Sequence, residues 1–382
     1  MTRAAFRFFL FAALALLPSQ GWAQACTPPD PAEFSCPSTA FEACEITVEG
    51  APRRYCRHIP DQGGSLPALI AFHGAGAGAE AMVNLWRYNT EAGLILIVPD
   101  AREVGEDGVC SSIWRQIGFQ AQDWAGLAAP YGCAGGTGFS DLAFVEALMD
   151  ATEAERDVQG FYAAGFSAGA GFVFQLYLTA PLAARFKGFA AAGMGVNAAK
   201  MRAVEAGHAS PARFGPNRDV KRPFLFHMGT ADKFALPVEE IVAELQRHPR
   251  CAEPGSIYIA MRCVLFNPIG RERGNFDLTS QRRRTEDWLA AFNQTQPRRI
   301  ESLYPDLGAG AGGDQTMTVR SDYLPSEGGA PVAVLTTVDG GHDWPGWGGN
   351  QPPCASGMCD VDLSSEILQF WRATAGMVTP PR

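Results

Sequence analysis

The chain has 382 residues, a formal net charge of −9 and a pI of about 5.3, with 47% hydrophobic and 19% charged residues. That is globular composition with ample length for a large buried core, and the acidic balance argues against a nucleic-acid partner. Arg3 and Arg7 precede a short apolar run, Phe8 to Leu17, and Ala23-Gln24-Ala25 resembles a signal-peptidase site. Residues 1–25 are therefore expected to be a signal peptide, leaving a single domain over 26–382 that is secreted or periplasmic. The run is too short to span a bilayer comfortably and no later stretch is long enough, so no membrane span is expected. Cys26 directly after the site would also suit a lipoprotein, but the polar spacer Pro18–Gln24 fits ordinary cleavage better.

All 10 cysteines lie beyond residue 25, and an even number in an exported chain points to disulfides. Local pairing is the simplest arrangement: Cys110–Cys133, Cys251–Cys263, Cys354–Cys359, and two bridges among Cys26, Cys36, Cys44 and Cys56. A zinc site is the competing reading, but no C-x-x-C pair or His/Cys cluster occurs.

In chain order, residues 26–43 read as a Pro- and Cys-rich arm. Glu45–Val48 and Arg54–Ile59, joined by Glu49-Gly-Ala-Pro52, read as an antiparallel hairpin. Leu66–Phe72 and Leu94–Val98 are continuous apolar runs, which suggests parallel strands covered on both faces. Residues 101–138, with Trp114 and Trp124, form a long loop that Cys110 and Cys133 would close. Asp141–Glu155 has helical spacing of Leu142, Val145, Leu148 and Met149, predicting a helix that packs on the sheet with its acids outward.

Phe161–Leu178 then reads as a strand, a turn Gly165-Phe-Ser-Ala-Gly169, and an apolar helix. Phe186–Ala192, Pro223–Met228 and Pro331–Val338 complete the predicted strands. Helices are expected over Pro237–Arg247, around Thr285–Phe292, and over Ser364–Ala373. The span 248–325 is otherwise hard to read and is taken as an insertion, with Arg282-Arg-Arg284 a solvated charge run. Asn293-Gln294-Thr295 has the form of a glycosylation sequon.

A serine on a tight strand-to-helix turn needs a base to take its proton and an acid to orient that base. In an open α/β sheet such groups sit past the carboxyl ends of strands. Asp232 and His342 both meet that condition, and the order Ser167…Asp232…His342 is the one expected of an α/β-hydrolase arrangement. Two N–H donors must face the oxyanion. One is expected from Ala168, the other from Ala75, with Gly74 the near alternative. Asp339 and Asp343 are rival acids, but each lies too close to His342 in sequence to orient its ring. His227, inside a strand, reads as a core histidine. Gly74–Gly78 has G-x-G-x-G spacing, not the G-x-G-x-x-G of a dinucleotide site.

His73-Gly74, Gly165–Gly169, His227-Met-Gly-Thr-Ala-Asp232 and Gly340-Gly-His-Asp-Trp-Pro-Gly346 together resemble the secreted polyhydroxybutyrate depolymerase and feruloyl esterase group. The G-T-A-D and G-G-H-x-W-P-G pieces are more specific than G-x-S-x-G alone, and the likeness runs in motif order from Leu66 to Trp371. It implies an α/β-hydrolase fold with a mostly parallel twisted sheet, and a serine esterase with the triad Ser167, Asp232 and His342. It also implies an ester substrate, small or oligomeric, and no metal or cofactor. Trp344 is expected to line the acyl or leaving-group pocket, His73 is a further candidate for substrate contact, and Trp114, like Trp124, either contacts substrate or packs under its loop. The alternatives are a serine peptidase of related fold and a non-catalytic polymer- or carbohydrate-binding protein on a hydrolase scaffold.

Overall fold

The computed structural model describes residues 26–30, 34–75, 77–101, 114, 141–196, 214–232, 278–304, 316–346 and 358–378. The expected signal peptide, the Cys110–Cys133 and Cys251–Cys263 pairs, Cys354, Trp124 and the Pro237–Arg247 helix lie outside those residues. Cys359 is disulfide-bonded.

The strands are β1 (Glu42–Val48), β2 (Ala51–His58), β3 (Leu66–Phe72), β4 (Ile95–Pro99), β5 (Val158–Phe166), β6 (Thr179–Ala180), β7 (Phe186–Ala192), β8 (Gly215–Pro216), β9 (Phe224–Gly229), β10 (Thr295–Leu303), β11 (Met317–Pro325) and β12 (Val332–Val338). All but the short β6–β8 pair form one sheet in the order β1-β2-β4-β3-β5-β7-β9-β12-β11-β10. From β4 to β12 every neighbouring pair is parallel, whereas β1–β2 and β11–β10 are antiparallel flanks. This is the α/β-hydrolase architecture expected from the sequence.

Every residue of β3, β4 and β9 is buried, as a sheet covered on both faces requires. One face carries α2 (Asp141–Glu155), α3 (Ala168–Leu178) and part of α5 (Leu278–Phe292). The other carries α1 (Ala79–Trp86) and α6 (Leu363–Thr374). The four-residue α4 (Leu182–Arg185) links α3 to β7. No described helix is long and apolar enough to cross a membrane.

Several expectations need correction. The hairpin turn is two residues, Glu49 and Gly50, at φ of 51° and 86°, the positive values that a two-residue turn between twisted strands demands. Helix α2 does not turn all its acids outward. Asp141 is buried and takes a hydrogen bond from Arg53 at 2.7 Å, with that guanidinium 4.2 Å over the Phe144 ring. Removing either partner would strand a buried charge.

In the described part of the span 248–325, β11 and β10 extend the sheet past β12, and α5 packs on one of its faces. Arg282 is not merely solvated, since it donates to the buried Glu286 at 2.7 Å, which also accepts from Arg299 and Tyr323. Asn293 is no glycan acceptor as folded, because its side chain is buried and its Oδ1 accepts the Tyr177 hydroxyl.

The arm is stapled to the hairpin by Cys26–Cys44 and Cys36–Cys56, the two bridges expected among the first four cysteines. They close loops with sequence separations of 18 and 20 residues, each contributing about 3 kcal/mol through the unfolded chain. Replacing Cys36 and Cys56 together by alanine is expected to lower the unfolding free energy by about that amount in a urea titration, with Cys26–Cys44 left intact.

Candidate active site

Ser167 stands between β5 and α3 at φ 53° and ψ −118°, a conformation that non-glycine residues rarely adopt. Crowding accounts for the glycines on either side. A Cβ on Gly165 would lie 2.4 Å from the Gly169 carbonyl oxygen, and one on Gly169 would lie 2.2 Å from that of Phe72. The Ser167 N–H donates across to the Ala192 carbonyl at 2.8 Å, and its own carbonyl accepts from Gly171 N–H at 3.0 Å. The turn is therefore tied both to the neighbouring strand and to the first turn of the helix.

Three strands away, β12 delivers His342 to the same point. His342 Nε2 lies 2.9 Å from Ser167 Oγ, and Nδ1 lies 2.8 and 2.9 Å from the two Asp232 oxygens. A carboxylate only accepts, so Nδ1 carries the proton and Nε2 is left to accept the serine hydroxyl. Asp232 is fully buried, whereas His342 retains 13% side-chain exposure, so its ring is open on one side.

The loops that carry the two groups are bonded to each other. Thr230 N–H donates to the Thr337 carbonyl at 2.9 Å, Asp339 N–H to Thr230 Oγ1 at 2.8 Å, and Ala231 N–H to the Gly340 carbonyl at 2.9 Å. Asp339 is exposed, and Asp343 Oδ1 is engaged by Trp344 N–H at 2.8 Å, so neither rival acid orients the ring. Burial raises the Asp343 pKa above the ordinary carboxylate value, against the smaller pull of Trp344 N–H and His342.

The loop after β3 meets Ser167 at Gly74, whose added Cβ would lie 3.2 Å from Ser167 Cβ. His73 fixes this loop. Its Nε2 accepts from Ala101 N–H at 3.0 Å, so the ring is the Nδ1–H tautomer and donates to the Gly74 carbonyl at 2.8 Å. Ala77 N–H reaches the same carbonyl at 3.3 Å. In a trans peptide the N–H points opposite to the C=O, so anchoring the Gly74 oxygen turns Ala75 N–H the other way. Ala168 opens α3, where the helix N-terminus favours negative charge.

The three residues expected to touch substrate do something else. His73 is fully buried, as just described. Trp114 is 1% exposed, stacks on Phe172 at 5.2 Å and donates to the His73 carbonyl at 2.8 Å. Trp344 is also 1% exposed, donates to Ser364 Oγ, and packs edge-on against Trp86 and Phe166. All three are buried behind the site rather than exposed within it. Sequence reading did not find Phe166, whose ring lies 5.0 Å from that of His342, nor Thr230, although Thr230 stands within G-T-A-D. His227 is the core histidine expected, with Nε2 3.0 Å from Thr337 Oγ1.

Among the described residues, one group of side chains lies close enough to share a metal, Cys26, Glu42 and Cys44, but its two sulfurs are joined in a disulfide.

No protein-family model matches the chain, and no curated protein matches it. Among solved structures it is similar to an α/β serine hydrolase homologue from Coxiella burnetii, at 14% identity and TM-score 0.34, over 56% of this chain and 83% of the other. It is also similar to Est1E from Butyrivibrio proteoclasticus, at 16% identity and TM-score 0.32, over 53% and 82%. A thermostable esterase matches at 12% identity and TM-score 0.34, over 66% and 63%. Likeness this distant carries no functional weight, and the fold class rests on the strand order.

Two outcomes follow from this geometry. A Cβ at Gly229 would lie 2.2 Å from the Gly340 carbonyl oxygen, so Gly229→Ala is expected to destabilise the protein by about 1–3 kcal/mol in chemical denaturation. Burial holds the His227 pKa down at about 3, against about 6.5 in an unfolded chain. The unfolded state then binds the extra proton, so stability is lost as pH falls from about 6.5 toward 3. His227→Gln should flatten that part of the pH–stability curve measured by thermal melts.

Proposed function

We propose that the protein is an exported serine esterase that hydrolyses carboxylic esters through an acyl-enzyme on Ser167. The observation that carries this reading is the continuous hydrogen-bonded line Asp232–His342–Ser167, at 2.8 and 2.9 Å, on a strained strand-to-helix turn. Its chemistry is acyl transfer. Ser167 Oγ attacks the ester carbonyl while His342 Nε2 takes its proton, and Asp232 steadies the imidazolium through Nδ1–H. The negative oxygen of the tetrahedral species faces the N–H groups of Ala168 and Ala75. Collapse expels the alcohol, which takes the proton from Nε2. Water then adds by the same route and releases the acid. The residues named need no metal or cofactor for any step.

The motif likeness to polyhydroxybutyrate depolymerases and feruloyl esterases directs the substrate proposal to hydroxyalkanoate oligomers or feruloyl-type plant esters. The two disulfides at the N-terminal arm and the signal-peptide-like start support export to an oxidising compartment.

A fluorophosphonate probe should label Ser167, and Ser167→Ala should remove both labelling and turnover of a small activated ester, by about a millionfold in kcat. Asp232→Asn should retain the shape of the site and lose about 10⁴-fold. Side-by-side assays on a feruloyl ester, a hydroxybutyrate oligomer and a peptide amide set the substrate class. Amide cleavage faster than ester cleavage would make it a peptidase, and wild-type protein that resists the probe would make it a binding protein.

A further inference from the structure

Ser167 and His342 hang from β5 and β12, and β7 and β9 lie between those strands in the sheet. Three interstrand gaps span roughly 14 Å. The loop that carries His342 must therefore cross the ends of β9 and β7 to bring Nε2 within 2.9 Å of Ser167 Oγ.

At the end of β7 it meets Ala192 and Gly193. The Ala192 carbonyl holds Ser167 N–H at 2.8 Å, and Gly193 N–H donates to the His227 carbonyl of β9 at 3.1 Å. Gly193 has φ 74°. A Cβ there would lie 2.9 Å from Phe166 Cε2, 3.1 Å from His342 Cε1 and 3.3 Å from His342 Nδ1. Carbon atoms in contact settle at about 3.5–4.0 Å, so the missing methyl is space that the two rings share. Phe166 closes the other boundary: its ring lies 5.0 Å from His342 at 36°, and Trp344, itself against Trp86, backs it edge-on.

We propose that Gly193 and Phe166 are positioning residues that set the imidazole of His342 between Asp232 and Ser167. This rests on the acyl-transfer reading of Ser167. Gly193 supplies the clearance that lets the ring lie low over the end of β7, and Phe166 limits its sideways travel. The same two-residue strand end, Ala192-Gly193, thus holds the nucleophile's backbone through one residue and makes room for the base at the next.

The test is Gly193→Ala in the full chain. It should lower kcat on a small activated ester about 100-fold, the cost of an ångström-scale misplacement, and leave KM unchanged. It should slow fluorophosphonate labelling and displace the low-field proton resonance of His342 Nδ1–H. Gly328→Ala is the control, because Gly328 has the same φ of 74° with nothing within 4 Å of an added Cβ. It bears the backbone strain without the contact and should keep wild-type kcat. Phe166→Leu leaves the strand end untouched and should shift both kcat and the resonance in the same direction as Gly193→Ala.

A folded Gly193→Ala protein with wild-type kcat and resonance would overturn the proposal. So would an equal loss of kcat in Gly328→Ala. If Gly193→Ala does not fold, wild-type values in Phe166→Leu overturn it instead. Wild-type protein that resists the probe would fail the acyl-transfer reading, whereas the resonance still reports ring position because it needs no turnover.

Discussion

The backbone of Ser167 is held where an L-residue resists going, at φ 53° and ψ −118°. Such a conformation costs about 1–3 kcal/mol and persists only where surrounding structure over-determines it. That over-determination is visible on every side. Gly165 and Gly169 allow backbone to approach at distances no Cβ would permit, Ala192 accepts the serine N–H, and a wholly buried α3 continues the chain. Four strands of the sheet, β3, β7, β9 and β12, lead into the residues that surround this bend. β3 brings Gly74, β7 brings Ala192 and Gly193, β9 brings Asp232, and β12 brings His342.

Much of this was legible. Long apolar runs such as Leu66–Phe72 suggested covered strands, and the turn glycines marked where they stop. Ser167, Asp232 and His342 were found because each stands just past the end of such a run, beside the small residues that a tight loop requires. What escaped had physical reasons. β10 is exposed along almost its whole length and carries Pro297, Arg298, Arg299 and Glu301, so it shows no buried alternation. It is a strand because β11 pairs with it. Gly193 follows an alanine-rich strand end and looks like any other glycine; only the ring above it gives it meaning.

The tryptophans carry a related lesson. Trp344 and Trp114 stand in loops beside the site, which made substrate contact a natural expectation, yet both are 1% exposed with their N–H groups satisfied inside. Both tryptophans are buried and packed against other aromatic rings. Trp114 backs the loop of Gly74, and Trp344 backs Phe166. A motif such as Gly340–Gly346 holds both a residue of the hydrogen-bonded line, His342, and a packing residue, Trp344, without saying which is which.

The zipped loops after β9 and β12 have one more implication. Thr230, Ala231, Asp339 and Gly340 tie the loops of Asp232 and His342 together, whereas Ser167 hangs from β5, and the two sides meet at the Ser167–His342 and Phe166–His342 contacts. Two interstrand gaps, β5–β7 and β7–β9, separate those sides, so the spacing and twist of both add up in the Ser167–His342 distance.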